Sequence, residues 1–157
     1  MGIKVGYKIL LEQAQAEIET ITVEDDPHAA PWRGADSLAL VHRVEEAKGY
    51  LGHPEYVFVD LRDIRELQRE GKIPGAFHAP RGMLEFWVDP ESPYHKPIFA
   101  SGKKFVFYCA GGWRSALAAQ TVQRMGLEPV CHIAGGFKAW LEAGGAVERL
   151  EGPKNQS

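Results

Sequence analysis

The stretch Phe105-Val106-Phe107-Tyr108-Cys109-Ala110-Gly111-Gly112-Trp113-Arg114-Ser115 passes from an apolar β-type run, through a glycine-bearing turn, into the start of a helical pattern. A strand, a tight turn and a helix N-terminus in that order put Cys109 in an anion-binding concavity. Backbone N–H groups, bare of side chains at Gly111 and Gly112, line it, and the helix dipole reinforces it. Free cysteine titrates near ~8.5, and cysteines at helix starts beside cations fall to ~3.5 to 7.5. The sulfur is therefore expected as a thiolate at neutral pH, with no histidine base required. The competing reading is a buried cysteine packing as a small hydrophobe. It leaves the glycine pair and the following arginine unexplained.

Outward from this stretch, short apolar runs alternate with helical ones. Strands are expected at Leu38 to Val41, Tyr56 to Val59, Ala76 to His78, Phe105 to Tyr108 and Val130 to Ile133. Helices are expected at Val44 to Tyr50, Ile64 to Glu70, Trp113 to Met125 and Phe137 to Ala143. Asp63 with Glu66 forms a capping box, and Gly71 and Gly126 are stop signals. This βα alternation predicts an α/β fold with a mainly parallel central sheet and helices on both faces. In such sheets ligands bind beyond the carboxyl ends of strands, where Cys109 falls. The aromatic stretch Met83 to Phe99, with Phe86, Trp87 and Tyr94, reads as a short helix and an ordered loop folded back over the domain.

Ahead of that pattern, Tyr7, Leu10, Leu11, Ala14, Ile18 and Ile21 recur at helical spacing and mark an amphipathic N-terminal helix. Its stripe is expected to pack on its own domain, with a homodimer or partner-helix contact as the alternative. Asp25 to Ala35 carries two prolines and a glycine and reads as a connector. The expected organisation is a helical extension and connector over 1–36, a catalytic domain over 37–150 and a tail over 151–157.

The 157 residues suit one domain that buries ~70% of its unfolded surface. With 45% hydrophobic and 25% charged residues, the composition is neither that of a disordered chain nor that of a membrane protein. A net charge of -3 argues against nucleic acid as a partner, so an anionic ligand must meet local positive charge. Two cysteines without a short CxxC spacing give neither a disulfide framework nor a zinc site, which suits a reducing compartment. No export signal is legible near Met1, so the expectation is cytoplasmic. The triplet Asn155-Gln156-Ser157 is then a chance match to a glycosylation site.

Taken together, Val59-Asp60-Leu61-Arg62, Glu66, Gly71-Lys72-Ile73-Pro74-Gly75-Ala76, the Cys109 to Ser115 loop, and Gly135-Gly136-Phe137 with Trp140 and Gly144-Gly145 resemble the rhodanese (sulfurtransferase) domain family. The resemblance spans about Leu38 to Glu148. It implies a rhodanese-like fold and a sulfurtransferase that carries a sulfane sulfur as a persulfide on Cys109. It also implies a small-molecule sulfur donor, a thiol acceptor or protein sulfur carrier, and no metal or organic cofactor. Lys72 stands where family members often place histidine, and Ala110 and Gly111 replace the basic residues of some thiosulfate-using members. That makes thiosulfate, a dianion, a doubtful natural donor.

Around Cys109 the loop residues Ala110, Gly111, Gly112, Trp113, Arg114 and Ser115 form the candidate site, supported by Asp60 and Arg62. Arg114 reads as a cation for the thiolate or donor, or as a salt bridge holding the loop. Asp60 either accepts hydrogen bonds from the loop or caps a helix. Arg62 faces the site by resemblance, or is a solvated surface charge. Ser115 donates to the sulfur or caps the helix. Trp113 floors the entrance and packs against the Phe86 and Trp87 segment, and Arg81 and His95 are surface residues or line the mouth. Cys131 reads as a buried strand residue, with resolution of an oxidised Cys109 as its alternative. Rival functions are a cysteine-dependent phosphatase, an arsenate reductase, and a non-catalytic binding module. Phosphatase loops place five residues between cysteine and arginine, whereas four separate Cys109 from Arg114.

Overall fold

The computed structural model describes residues 2–20, 39–42 and 47–150. The connector and tail expected from the sequence, and the first part of the helix expected at Val44 to Tyr50, lie outside the described residues. Six strands form one sheet: β1 (Ile18–Thr20), β2 (Ala39–His42), β3 (Tyr56–Asp60), β4 (Phe77–His78), β5 (Lys104–Tyr108) and β6 (Val130–Ile133). Their order is β1-β2-β6-β5-β3-β4, and every pairing is parallel. Among the described residues five α-helices accompany them, α1 (Tyr7–Ala16), α2 (Ile64–Glu70), α3 (Leu84–Val88), α4 (Trp113–Met125) and α5 (Gly136–Glu142), with short 3-10 turns at Arg81–Met83 and Pro97–Ala100.

Parallel strands buried on both sides need apolar residues at successive positions. Phe105 to Tyr108 and Val130 to Ile133 are buried throughout. Alternation along the strands sends Val57, Val59, Phe105, Phe107 and Val130 to one layer, with α1, α3 and α4. Phe58, Val106, Tyr108, Cys131 and Ile133 go to the other, with Ile73, Phe137 and Trp140. Helices therefore cover both faces, as expected. The chain crosses from edge strand β4 back over β3 to β5, which sets the start of α4 at the carboxyl edge of the sheet's middle.

Local signals placed α2 and α4 to the residue. The Asp63 carboxylate accepts from Arg65 N–H at 2.8 Å, and Glu66 accepts from Asp63 N–H at 2.9 Å, completing the capping box. Gly71 and Gly126 end their helices at φ 79 and φ 99, in the positive region that favours glycine. One expectation is corrected. The helical periodicity that ran to Ile21 stops at Ala16, and Ile18 to Thr20 pairs with β2 as an edge strand. Two β-branched residues in three favour that strand.

The amphipathic α1 lies on its own domain, with Leu11 and Ala14 buried in the same layer as α4. Glu17, just past its end, accepts from Gln120 Nε2 at 3.0 Å and pairs with Arg124 at 3.3 Å. The aromatic segment folds back as read. Trp87 and Phe99 pack on Phe77, while Phe86 and Tyr94 stay exposed.

Candidate active site

Cys109 follows β5 directly and is 1% exposed, at the floor of a cavity of about 260 Å³ lined by Gly111, Trp113 and Arg114. Gly112 N–H donates to its Sγ at 3.1 Å and Ser115 N–H at 3.4 Å. The turn owes this aim to Gly112, whose φ of 105 lets the chain double back at the N-cap of α4. Ser115, fully buried, also has its Oγ 3.5 Å from the sulfur and 3.3 Å from the Gly112 carbonyl. It touches the Cys109 sulfur rather than only capping the helix.

A second set of bonds fastens the loop from below. Phe137 N–H donates to the Cys109 carbonyl at 2.8 Å and Lys138 N–H to the Ala110 carbonyl at 3.1 Å. Gly136, at φ 60, makes that approach feasible. A Cβ there would run into the Cys109 carbonyl oxygen and stand 2.7 Å from that of Ala110. Gly136→Ala is expected to combine about 1–2 kcal/mol of left-handed strain with a shifted loop. Slower alkylation of Cys109 and a lowered melting temperature would report it, and an unchanged alkylation rate would contradict the tight approach.

Arg114 forms the salt bridge of one of its readings and lies beside the Cys109 sulfur. Its guanidinium donates to Glu66 at 2.9 and 3.1 Å, a two-point pairing that links α4 to α2. The hydrogen bond to Glu66 raises the Arg114 pKa, against an opposing effect of burial, and the nearby Cys109 sulfur adds to the rise. The same hydrogen bond lowers the Glu66 pKa, with burial again opposing.

Asp60 departs from its expected roles, and of the two readings of Arg62 only the solvated surface charge fails. Both are fully buried, and Asp60 accepts from Arg62 N–H at 3.0 Å, Nε at 3.0 Å and Nη2 at 2.8 Å. Asp60 thus neither bonds the reactive loop nor caps a helix: the alternation that aims Val59 at one layer turns it toward Arg62 and Tyr108. Arg62 is not a solvated charge. It also donates to the Gly71 carbonyl at 2.7 Å, stacks 4.2 Å from the Phe137 ring centroid, and borders a cavity with Ala110 and Gly111. Burial pushes the Tyr108 hydroxyl pKa up, and the Asp60 charge adds to it.

Trp113 is 59% exposed at the rim, and its ring meets Tyr7 of α1 at 5.2 Å. The expected packing against Phe86 and Trp87 is replaced, because α1 reaches the loop first. Arg81 pairs with Glu85 at 2.7 Å, and His95 Nδ1 bonds the Trp87 carbonyl at 2.9 Å; both brace the aromatic segment. Lys72 donates to the Ala76 carbonyl at 2.7 Å. Cys131 is buried in the layer opposite Phe107 and His132, which turns it away from Cys109. Among the described residues no cluster is arranged to hold a metal ion, and no helix is long and apolar enough to cross a membrane.

The residue that sequence reasoning missed is His132 of β6. It is 3% exposed, its Nδ1 lies 2.9 Å from Ser115 Oγ, and burial lowers its pKa to about 4. A single histidine inside an apolar strand was the only signal.

A parallel α/β sheet carrying a cysteine in an amide loop at the carboxyl end of β5 defines the class. The chain belongs to the rhodanese-like domain family, whose model matches residues 43–143. A Rhodopseudomonas palustris CGA009 structure, described as a protein of unknown function and possible tyrosine phosphatase, is 49% identical. It covers 94% of this chain and 98% of its own, with a TM-score of 0.78. The mouse thiosulfate sulfurtransferase/rhodanese-like domain-containing protein 3 is 30% identical over 101 residues, 61% of this chain and 64% of that protein. The Saccharomyces cerevisiae single domain sulfurtransferase RDL2 is 25% identical, with a TM-score of 0.55 over 71% of this chain and 96% of its own. The chain spans less than two thirds of the length of the curated relatives it first matches.

Proposed function

We propose that the protein is a sulfurtransferase that carries a sulfane sulfur on Cys109. The observation that carries this reading is the pair of backbone N–H groups, from Gly112 and Ser115, aimed at one buried sulfur. Donors fixed before reaction stabilise an anion without reorganising, so the same cradle suits the resting thiolate and the persulfide anion. The thiolate attacks the outer sulfur of a sulfane donor and an S–S bond forms to Cys109 as the donor's remainder leaves with the electron pair; with thiosulfate as the assay donor, that leaving group is sulfite. A nucleophile, cyanide in an assay or a thiolate in a cell, then takes that outer sulfur and returns the Cys109 thiolate. Arg114, beside the sulfur at the rim, supplies local positive charge at the site of a chain whose net charge is -3, and it is shared with Glu66. A cytoplasmic setting suits a thiol that must stay reduced.

A phosphatase is the rival, favoured by the description of the Rhodopseudomonas palustris relative. Against it, only four residues separate Cys109 from Arg114, a ring one residue short for a phosphoryl group. The protein is to be incubated with thiosulfate, mercaptopyruvate and an aryl phosphate, then weighed intact. The expected result is a gain of one sulfur atom on Cys109, reversed by cyanide. Turnover of the aryl phosphate with no such gain would replace this reading by the rival.

A further inference from the structure

We propose that His132 is a positioning residue that governs, through Ser115, whether the Cys109 sulfur is held as an anion. The inference rests on Cys109 being the nucleophile of the reading above. Three side chains lie in line: Cys109 Sγ, Ser115 Oγ at 3.5 Å, and His132 Nδ1 at 2.9 Å from that oxygen. All three residues are buried, so water does not compete for these bonds. The far ring nitrogen, His132 Nε2, is buried with no hydrogen-bond partner, and the ring borders a cavity of about 270 Å³ with Gln15, Gly111, Gly112, Trp113 and Gly135. A buried nitrogen without a partner calls for an explanation, and a proton route from the sulfur to this cavity supplies one.

The serine hydroxyl has one proton and, within reach, three acceptors: the sulfur, His132 Nδ1 and the Gly112 carbonyl. A neutral imidazole carries its single proton on either nitrogen. With Nδ1 bare, the shortest bond draws the serine proton to histidine, and the thiol donates to Ser115 Oγ. With Nδ1 protonated, histidine donates to Ser115 Oγ, and the serine proton turns to the sulfur. Ionisation of Cys109 converts one arrangement into the other. The thiol proton passes to Ser115 Oγ, the serine proton passes to Nδ1, and the Nε2 proton is given up to a solvent water, leaving the imidazole neutral as its other tautomer. The thiolate gains a third donor, and the chain of bonds polarises in the direction that stabilises it.

The surrounding charges do not duplicate this route. From α4, Arg114 faces the sulfur and is itself paired with Glu66 of α2. From α1, Gln15 borders the cavity, while Glu17 is engaged by Gln120 and Arg124. From α5, Lys138 lines the cavity on the opposite side of the loop with Arg62 and Glu70. Among the described residues no charged group contributes to the depressed basicity of His132, which burial alone explains, so the ring is neutral in the working range.

The pH profile of iodoacetamide alkylation at Cys109, resolved by peptide mass, tests the coupling in the full chain. For His132→Phe, which leaves the Ser115 hydroxyl in place but removes the donor that polarises it toward the sulfur, the profile is expected to move to higher pH, with alkylation near neutral pH about two- to fourfold slower, the scale of cooperative strengthening of one hydrogen bond to a charged group. His132→Asn, whose side-chain amide keeps a donor toward Ser115, is expected to recover most of that rate. Coincident profiles for wild type and His132→Phe overturn the proposal, as does an asparagine variant no better than phenylalanine. Nitrogen-15 NMR of the wild-type imidazole stands independently of how the variants fold. The proton is expected to shift from Nε2 to Nδ1 as Cys109 ionises, and an unchanged tautomer refutes the relay. Alkylation needs no sulfur donor, so a protein that shows this coupling yet never gains sulfur overturns the function proposed above and leaves the relay standing.

Discussion

Cys109→Ser yields a folded protein that takes up no sulfur. A hydroxyl fits the space of the thiol, and the Gly112 and Ser115 N–H groups still have an acceptor at that position. Melting is therefore expected to change by no more than a few degrees. The chemistry is expected to be lost for two reasons: a serine hydroxyl is intrinsically far less acidic than a thiol and does not form an alkoxide near neutral pH, and oxygen is a poor nucleophile toward sulfur. Sulfur transfer to cyanide is expected to fall by at least about a thousandfold, on the scale of removing a covalent nucleophile. Intact mass should show no added sulfur after any donor. Retained transfer, or sulfur appearing on Cys131, would sink the assignment of Cys109 as the carrier.

Arg62→Met acts on stability instead. Arg62 and Asp60 form a fully buried ion pair at 2.8 Å, and the guanidinium also holds the Gly71 carbonyl at 2.7 Å where α2 ends. Burial works against the charged form of Arg62, and the bonds to Asp60 overcome it, leaving the pKa raised. Removing the arginine strands a carboxylate inside the protein, a loss of about 3–5 kcal/mol. For a chain of this size that corresponds to a fall of about 10 °C or more in melting temperature. Asp60→Asn combined with Arg62→Met removes both charges and is expected to regain a large part of the loss. Thermal melts of the two variants check both statements. A single variant that melts within two degrees of wild type would contradict the account.

What could be read in advance follows the range of the interactions. The limits of α2 and α4 are local: a capping box at Asp63 and Glu66, and glycines at the ends, act within a few residues. The placement of Cys109 in an amide-lined turn is legible for the same reason, since strand, turn and helix start are consecutive. Ile18 to Thr20 was misread because three residues do not specify a strand alone; pairing with β2 does. The Asp60 and Arg62 pair was seen as two residues but not as a pair, because their contact depends on how the chain turns after β3. His132 meets Ser115 only when β6 lies beside β5, and the Tyr7 to Trp113 contact only when α1 settles on α4. None of these has a signature within a short window.

The two bonds from Phe137 and Lys138 to the carbonyls of Cys109 and Ala110 make the reactive loop and α5 a single cooperative unit. Fraying of that helix releases the peptide groups that fix the turn, so the aim of the Gly112 and Ser115 N–H groups at the Cys109 sulfur is only as durable as the first turn of α5.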